Sequence, residues 1–102
     1  MKRKKKSPKI LTKIEDGVNR RFFQAIELLV SLDRLSALEY FCNEAGISPP
    51  RYREARFTYG ITPRTDIVSR YKTIEVEGLY SLVVNYSISA DWLLTGRGKP
   101  LK

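Results

Sequence analysis

Along the stretch NRRFFQAIELLVSL, apolar side chains recur at Phe22, Ile26 and Leu29, and again at Phe23, Ile26 and Val30. That is the period of an α-helix with a buried face, and Asn19 stands where a cap would start it. Next, Ser36-Ala37-Leu38-Glu39 fits the S-x-x-E capping box, in which serine accepts from a helix N–H and glutamate reaches back. The helix it opens carries Leu38, Phe41, Cys42 and Ala45 on one face. Gly46 stops that helix, because glycine readily takes the left-handed conformation just past a helix end. After Ile47, Ser48 is a new cap and Pro49 suits the first helical position, where its missing N–H costs nothing. The next helix runs from Pro49 to about Thr58, with Tyr52, Ala55 and Tyr59 on one face. Pro50, Arg53, Glu54 and Phe57 lie on the opposite one.

Residues 60–74, GITPRTDIVSRYKTI, allow two readings. Thr62-Pro63 can cap a short helix with Ile67, Val68 and Tyr71 inside, or the segment can be an irregular, partly extended loop. Further on, VEGLYSLVVNYS places Leu79, Leu82, Val83 and Tyr86 at helical spacing. Ser89 then caps ADWLL, with Trp92 and Leu93 inward and Thr95-Gly96 as its end. The pattern predicts an all-α bundle of about five helices. Its expected core is Phe23, Ile26, Leu29, Phe41, Cys42, Ile47, Tyr52, Leu82, Trp92 and Leu93. The opening MKRKKKSPK has no apolar residue after Met1 and cannot offset the entropy of its own ordering. The expected organisation is a disordered basic arm over 1–18, a domain over 19–98 and a frayed tail over 99–102.

The 102 residues suit one domain, and 42% of them are hydrophobic, enough for a core near the small end of what folds unaided. No apolar run approaches the roughly 18 residues of a membrane span, and no apolar stretch follows the basic residues 2–6 as in a secretory signal. One cysteine and no histidine exclude an intramolecular disulfide, the common zinc spacings, and Ser-His or Cys-His nucleophiles. The carboxylates at Glu15 and Asp16, and at Glu75 and Glu77, read as solvated surface rather than catalytic pairs. The sequence thus predicts no enzyme, no cofactor and no metal, and it indicates no small-molecule ligand and no membrane.

Charge changes the picture. The net charge is +8 and the isoelectric point about 9.8, which points to a polyanionic partner. The excess sits in two blocks: residues 1–21 carry +7, 22–50 carry −3, 51–72 carry +4, and 73–102 are neutral.

The segment FCNEAGISPPRYREAR resembles the helix-turn-helix of the Cro/lambda-repressor-like (Xre-type) DNA-binding family. Phe41 and Cys42 match its apolar-then-small pair in the first helix, Gly46 its turn glycine, and Ile47 and Ser48 the apolar and capping residues that follow. Tyr52 and Ala55 match the two inward positions of the second helix. A second segment, VNYSISADWLLTGRGKP, resembles the junction of the family's last two helices, with Ser87 where glycine or asparagine is commoner. The two matches cover roughly 22–59 and 75–98. The chain departs from the family at three places. Leu38 stands where a phosphate-bonding glutamine is usual, and Ala55 and Arg56 stand where Trp and Glu are usual. The segment after the second helix is about a dozen residues longer than usual.

The resemblance implies a sequence-specific, double-stranded DNA-binding regulator of the phage or mobile-element repressor type, bound as a homodimer and cytoplasmic, associated with the nucleoid. In such a unit the second helix enters the major groove. Pro50, Arg51, Arg53, Glu54 and Phe57 are then the base-reading candidates. Arginine can bond guanine, glutamate can accept from cytosine, and an apolar group can meet the thymine methyl. Ser48 with the free N–H groups of the helix start, Arg56 at the helix side, and Arg64, Arg70 and Lys72 in the long segment are candidates for phosphate, with Lys4 and Lys5 of the arm. The main alternative is an antitoxin-like protein-interaction module that binds DNA secondarily. RNA binding is a weaker one, since no aromatic β-surface is indicated.

Overall fold

A computed structural model describes residues 12–64, 66 and 69–102. Five α-helices follow in order: α1 (Lys13–Ser31), α2 (Leu38–Ala45), α3 (Pro49–Tyr59), α4 (Val76–Asn85) and α5 (Ala90–Thr95). Among the described residues the only extended pairing is one antiparallel bridge between Ile88 and Leu101. The all-α expectation of about five helices therefore holds.

Helix α1 starts earlier than its apolar stripe suggests. Thr12 Oγ1 accepts from Glu15 N (3.0 Å), and Glu15 Oε1 accepts from Thr12 N (3.1 Å), a complete capping box. The arm thus cannot extend to residue 18, and its residues 1–11, including Lys4 and Lys5, lie outside the described residues. Asn19 is no cap. It is buried within α1 and donates Nδ2 to Lys72 O at 2.8 Å. At the other end Asp33 takes a left-handed φ of 59°, with Asp33 N donating to Val30 O and Arg34 N to Leu29 O. This closes the helix in a Schellman motif.

The capping box expected at Ser36 does not form. Ala37 is the N-cap of α2 and makes no side-chain bond. Leu35 and Leu38 are both buried, and holding both in the core shifts the helix start one residue past Ser36.

The turn from α2 to α3 follows its sequence closely. Gly46 has φ 77°, its N–H donates to Asn43 O, and Ile47 N donates to Cys42 O. Ser48 Oγ accepts from Arg51 N, and Pro49 opens α3. Near the other end of the chain, Ser89 Oγ accepts from Trp92 N, and Gly96 closes α5 with φ 83°. Ser87, where the family resemblance prefers glycine or asparagine, has φ 60°. Both Gly46 and Ser87 therefore occupy a region that costs an L-residue with a β-carbon about 1 kcal/mol. Apart from its chain neighbours, nothing lies within 4 Å of a β-carbon built on Gly46, so the expected loss of about 1 kcal/mol for Gly46→Ala is conformational, not a clash with the packing. Ser87→Gly is expected to stabilise by about 0.5–1 kcal/mol. Urea unfolding of the two variants checks the opposite signs.

All ten expected core residues are buried. Phe22, outside the expected core, is also fully buried and sits at its centre, with ring centroids 5.0 Å from Phe23, 5.7 Å from Phe41 and 5.5 Å from Tyr52. Gly78 brings α4 onto the same ring: a β-carbon there would lie 3.3 Å from Phe22 Cε1. Cys42 is a small, fully buried member of the same core, and burial pushes its thiol up to about 11.

The tail is held in place rather than frayed. Pro100 O accepts from Ser89 N (2.7 Å), Ser87 O accepts from Lys102 N (3.0 Å), and Lys102 Nζ donates to Val83 O. Arg21, part of the basic N-terminal block, donates to Leu93 O and Leu94 O and ties α1 to the end of α5.

Candidate nucleic-acid interface

Tyr52, Ala55 and Tyr59 turn one side of α3 into the core, which leaves its first turns open. Pro50, Arg51 and Arg53 are exposed there, and Arg56 is half-buried on the flank. The start of α3 lacks most of the backbone donors of an anion-binding helix end. Its first two residues are prolines without an N–H, and the Arg51 N–H is taken by Ser48 Oγ at 3.4 Å. The backbone half of the phosphate site expected at Ser48 is therefore missing. The Ser48 hydroxyl proton remains available as a donor.

Each arginine of α3 faces a carboxylate from a different element. Arg51 Nη1 lies 4.0 Å from Glu75 Oε2 at the start of α4. Arg53 Nη1 lies 3.6 Å from Glu39 Oε1 on α2, and Arg56 Nη1 lies 3.9 Å from Glu27 Oε2 on α1. These distances exceed hydrogen-bond length, and every partner is 40% or more exposed. Such pairs contribute at most about 1 kcal/mol each and exchange readily.

The connector between α3 and α4 pairs differently. It contains no helix among its described residues, and Ile67 and Val68 lie outside them. Arg70 donates from its backbone N, Nε and Nη2 to the two oxygens of Glu54 at 3.0–3.3 Å. Those bonds hold the Glu54 carboxyl below its ordinary range. Arg64 grips Asp66 through two bonds of 3.1 and 2.7 Å, which lowers that carboxyl likewise. The same Arg64 stacks over Phe57, with Cζ 5.3 Å from the ring centroid.

Two of the base-reading candidates, Glu54 and Phe57, are thus engaged by the connector. Two of the phosphate candidates, Arg64 and Arg70, are the groups that engage them. Lys72 is half-buried, its Nζ donating to Ser69 O. Further bonds hold the connector to the bundle: Ser69 N donates to Thr58 Oγ1 at 2.7 Å, and Tyr52 OH accepts from Glu75 N and donates to Glu75 Oε1. The long connector is a brace that fixes α3. Sequence spacing could not have found the partners that tie it to the bundle, since Arg70–Glu54, Ser69–Thr58 and Tyr52–Glu75 are 11 or more residues apart.

Tyr71 adds a feature absent from the sequence reading. Its ring meets two guanidinium groups, Arg51 at 4.7 Å and Arg70 at 5.4 Å. The Arg51 side chain is thereby oriented by Tyr71.

No protein-family model, curated protein or solved structure matches this chain. Among the described residues no helix is long and apolar enough to cross a membrane, and no cluster of three potential metal ligands occurs.

Proposed function

We propose that the chain binds double-stranded DNA through α2 and α3 acting as a helix-turn-helix, and that it serves as a transcriptional regulator of the phage or mobile-element repressor type. One observation carries the reading: α3 buries its aromatic side and leaves Pro50, Arg51 and Arg53 exposed on its first turns. A helix so mounted can lay those side chains along a major groove, with Arg56 and Ser48 at its edges near phosphate. The weak α3 ion pairs support this, because a guanidinium loosely held by an exposed carboxylate can transfer to phosphate or guanine at little cost. A single such helix covers one short half-site, so a homodimer on a two-fold site is part of the proposal.

Selection from a random duplex library with the pure protein tests the reading. The expected result is an enriched two-fold sequence bound by two chains. Log affinity should fall with log salt by about 0.9 for each phosphate contact. Removal of residues 1–9 should flatten that slope if the arm touches phosphate, and an unchanged slope would assign the arm no contact. A partner-binding module is favoured instead by one feature. Val76, Tyr80 and Val84 recur every fourth residue along α4 and are 69%, 65% and 54% exposed. A library that yields no enriched sequence would favour that reading.

A further inference from the structure

The loose pairs on α3 differ from the tight pairs of the connector in a way that bears on how strongly the helix can bind. Glu27, Glu39 and Glu75 come from α1, α2 and the start of α4, and each stands beside one arginine of α3. None is close enough to its arginine for a hydrogen bond, so they are poor structural ties. Glu54 and Asp66, by contrast, accept two or more short bonds each and serve the brace.

We infer that Glu27, Glu39 and Glu75 form a fixed counter-ion ring around α3 that restrains its affinity for DNA. The inference rests on the DNA-binding reading above. When a duplex approaches, each arginine must leave its carboxylate, and each carboxylate is then left beside a phosphate backbone of the same sign. Two unit charges roughly 7 Å apart in water repel by an amount equivalent to about a threefold change in an equilibrium constant. At about 0.1 M salt the Debye length is roughly 10 Å, so the repulsion acts on acids at the interface and is screened for acids elsewhere. The ring therefore keeps a strongly basic chain from adhering indiscriminately to polyanions while leaving its arginines exchangeable. Nothing in the net charge of +8 discloses it, because the acids are spread over three elements.

Glu75 also accepts from the Tyr52 hydroxyl, so the clean test uses the other two. The double variant Glu27→Gln/Glu39→Gln keeps side-chain shape and removes both charges. Glu77→Gln, on the exposed part of α4 and in none of these pairs, is the control for added net charge. Affinity for one fixed duplex at about 0.1 M salt is measured by fluorescence anisotropy, with the thermal midpoint of each variant measured alongside. With screening at this salt halving each repulsion, the expected result is roughly threefold tighter binding by the double variant, little change for Glu77→Gln, and unchanged midpoints. A double variant that binds no tighter than the control, or more weakly than the natural chain, overturns the ring: the acids would then be neutral or would be orienting the arginines. If the natural chain binds no duplex at all, the DNA reading fails and this inference fails with it. The behaviour of the natural chain thus tells the two failures apart.

Discussion

Phe22→Ala is expected to destabilise the fold by about 3–5 kcal/mol, the range for a large aromatic removed from a packed core. The ring is fully buried and touches aromatic neighbours from three helices: Phe23 on its own helix, Phe41 on α2 and Tyr52 on α3. Its edge-to-face arrangements with Phe23 and Phe41 add to the area it buries. Gly78 lies against it, so the vacated space would also loosen the seat of α4. A domain of this size has a total stability of about 5–15 kcal/mol, so the loss is a large fraction of it. Thermal or urea unfolding followed by far-ultraviolet circular dichroism measures it. A change under about 1 kcal/mol would show that the core does not pivot on this ring.

Phe22 also shows where sequence reading reaches its limit. Two apolar stripes overlap on α1, one through Phe22 and one through Phe23, and periodicity cannot rank them. Only the arrival of α2, α3 and α4 on the same ring does so. Caps were legible where the signal is local and complete, as at Gly46, Ser48, Ser89 and Gly96. The T-x-x-E of Thr12 and Glu15 was equally local, but it lies in a strongly basic stretch that reads as an arm. At Ser36 the same kind of motif misled, because burial of Leu35 and Leu38 decides where α2 begins. The candidate site was legible as a cluster of arginines on one helix. Its carboxylate partners were not, since Glu27, Glu39 and Glu75 reach α3 only through the fold. The same holds for Glu54, which by helical phase faces away from Tyr52 yet is bound by Arg70 of the connector.

The second large effect concerns Arg53. It is exposed, among the described residues its one ion pair is the loose one to Glu39, and it stands one residue past Tyr52 on the early part of α3. A guanidinium there can bond guanine through two donors, a contact worth about 1–3 kcal/mol of discrimination. Arg53→Ala is therefore expected to weaken binding to the selected sequence by that amount, and binding to a scrambled duplex far less. Stability should change by no more than about 0.5 kcal/mol, because an exposed side chain with one weak partner is lost. Arg56→Ala should behave otherwise, lowering both affinities alike, as loss of a phosphate contact does. The most direct test of the account is a titration of the natural chain and Arg53→Ala against selected and scrambled duplexes at one fixed salt concentration. The account predicts that Arg53→Ala loses about tenfold or more on the selected duplex and little on the scrambled one. Equal losses on both would make Arg53 a backbone contact, and no loss on either would mean that α3 does not read DNA.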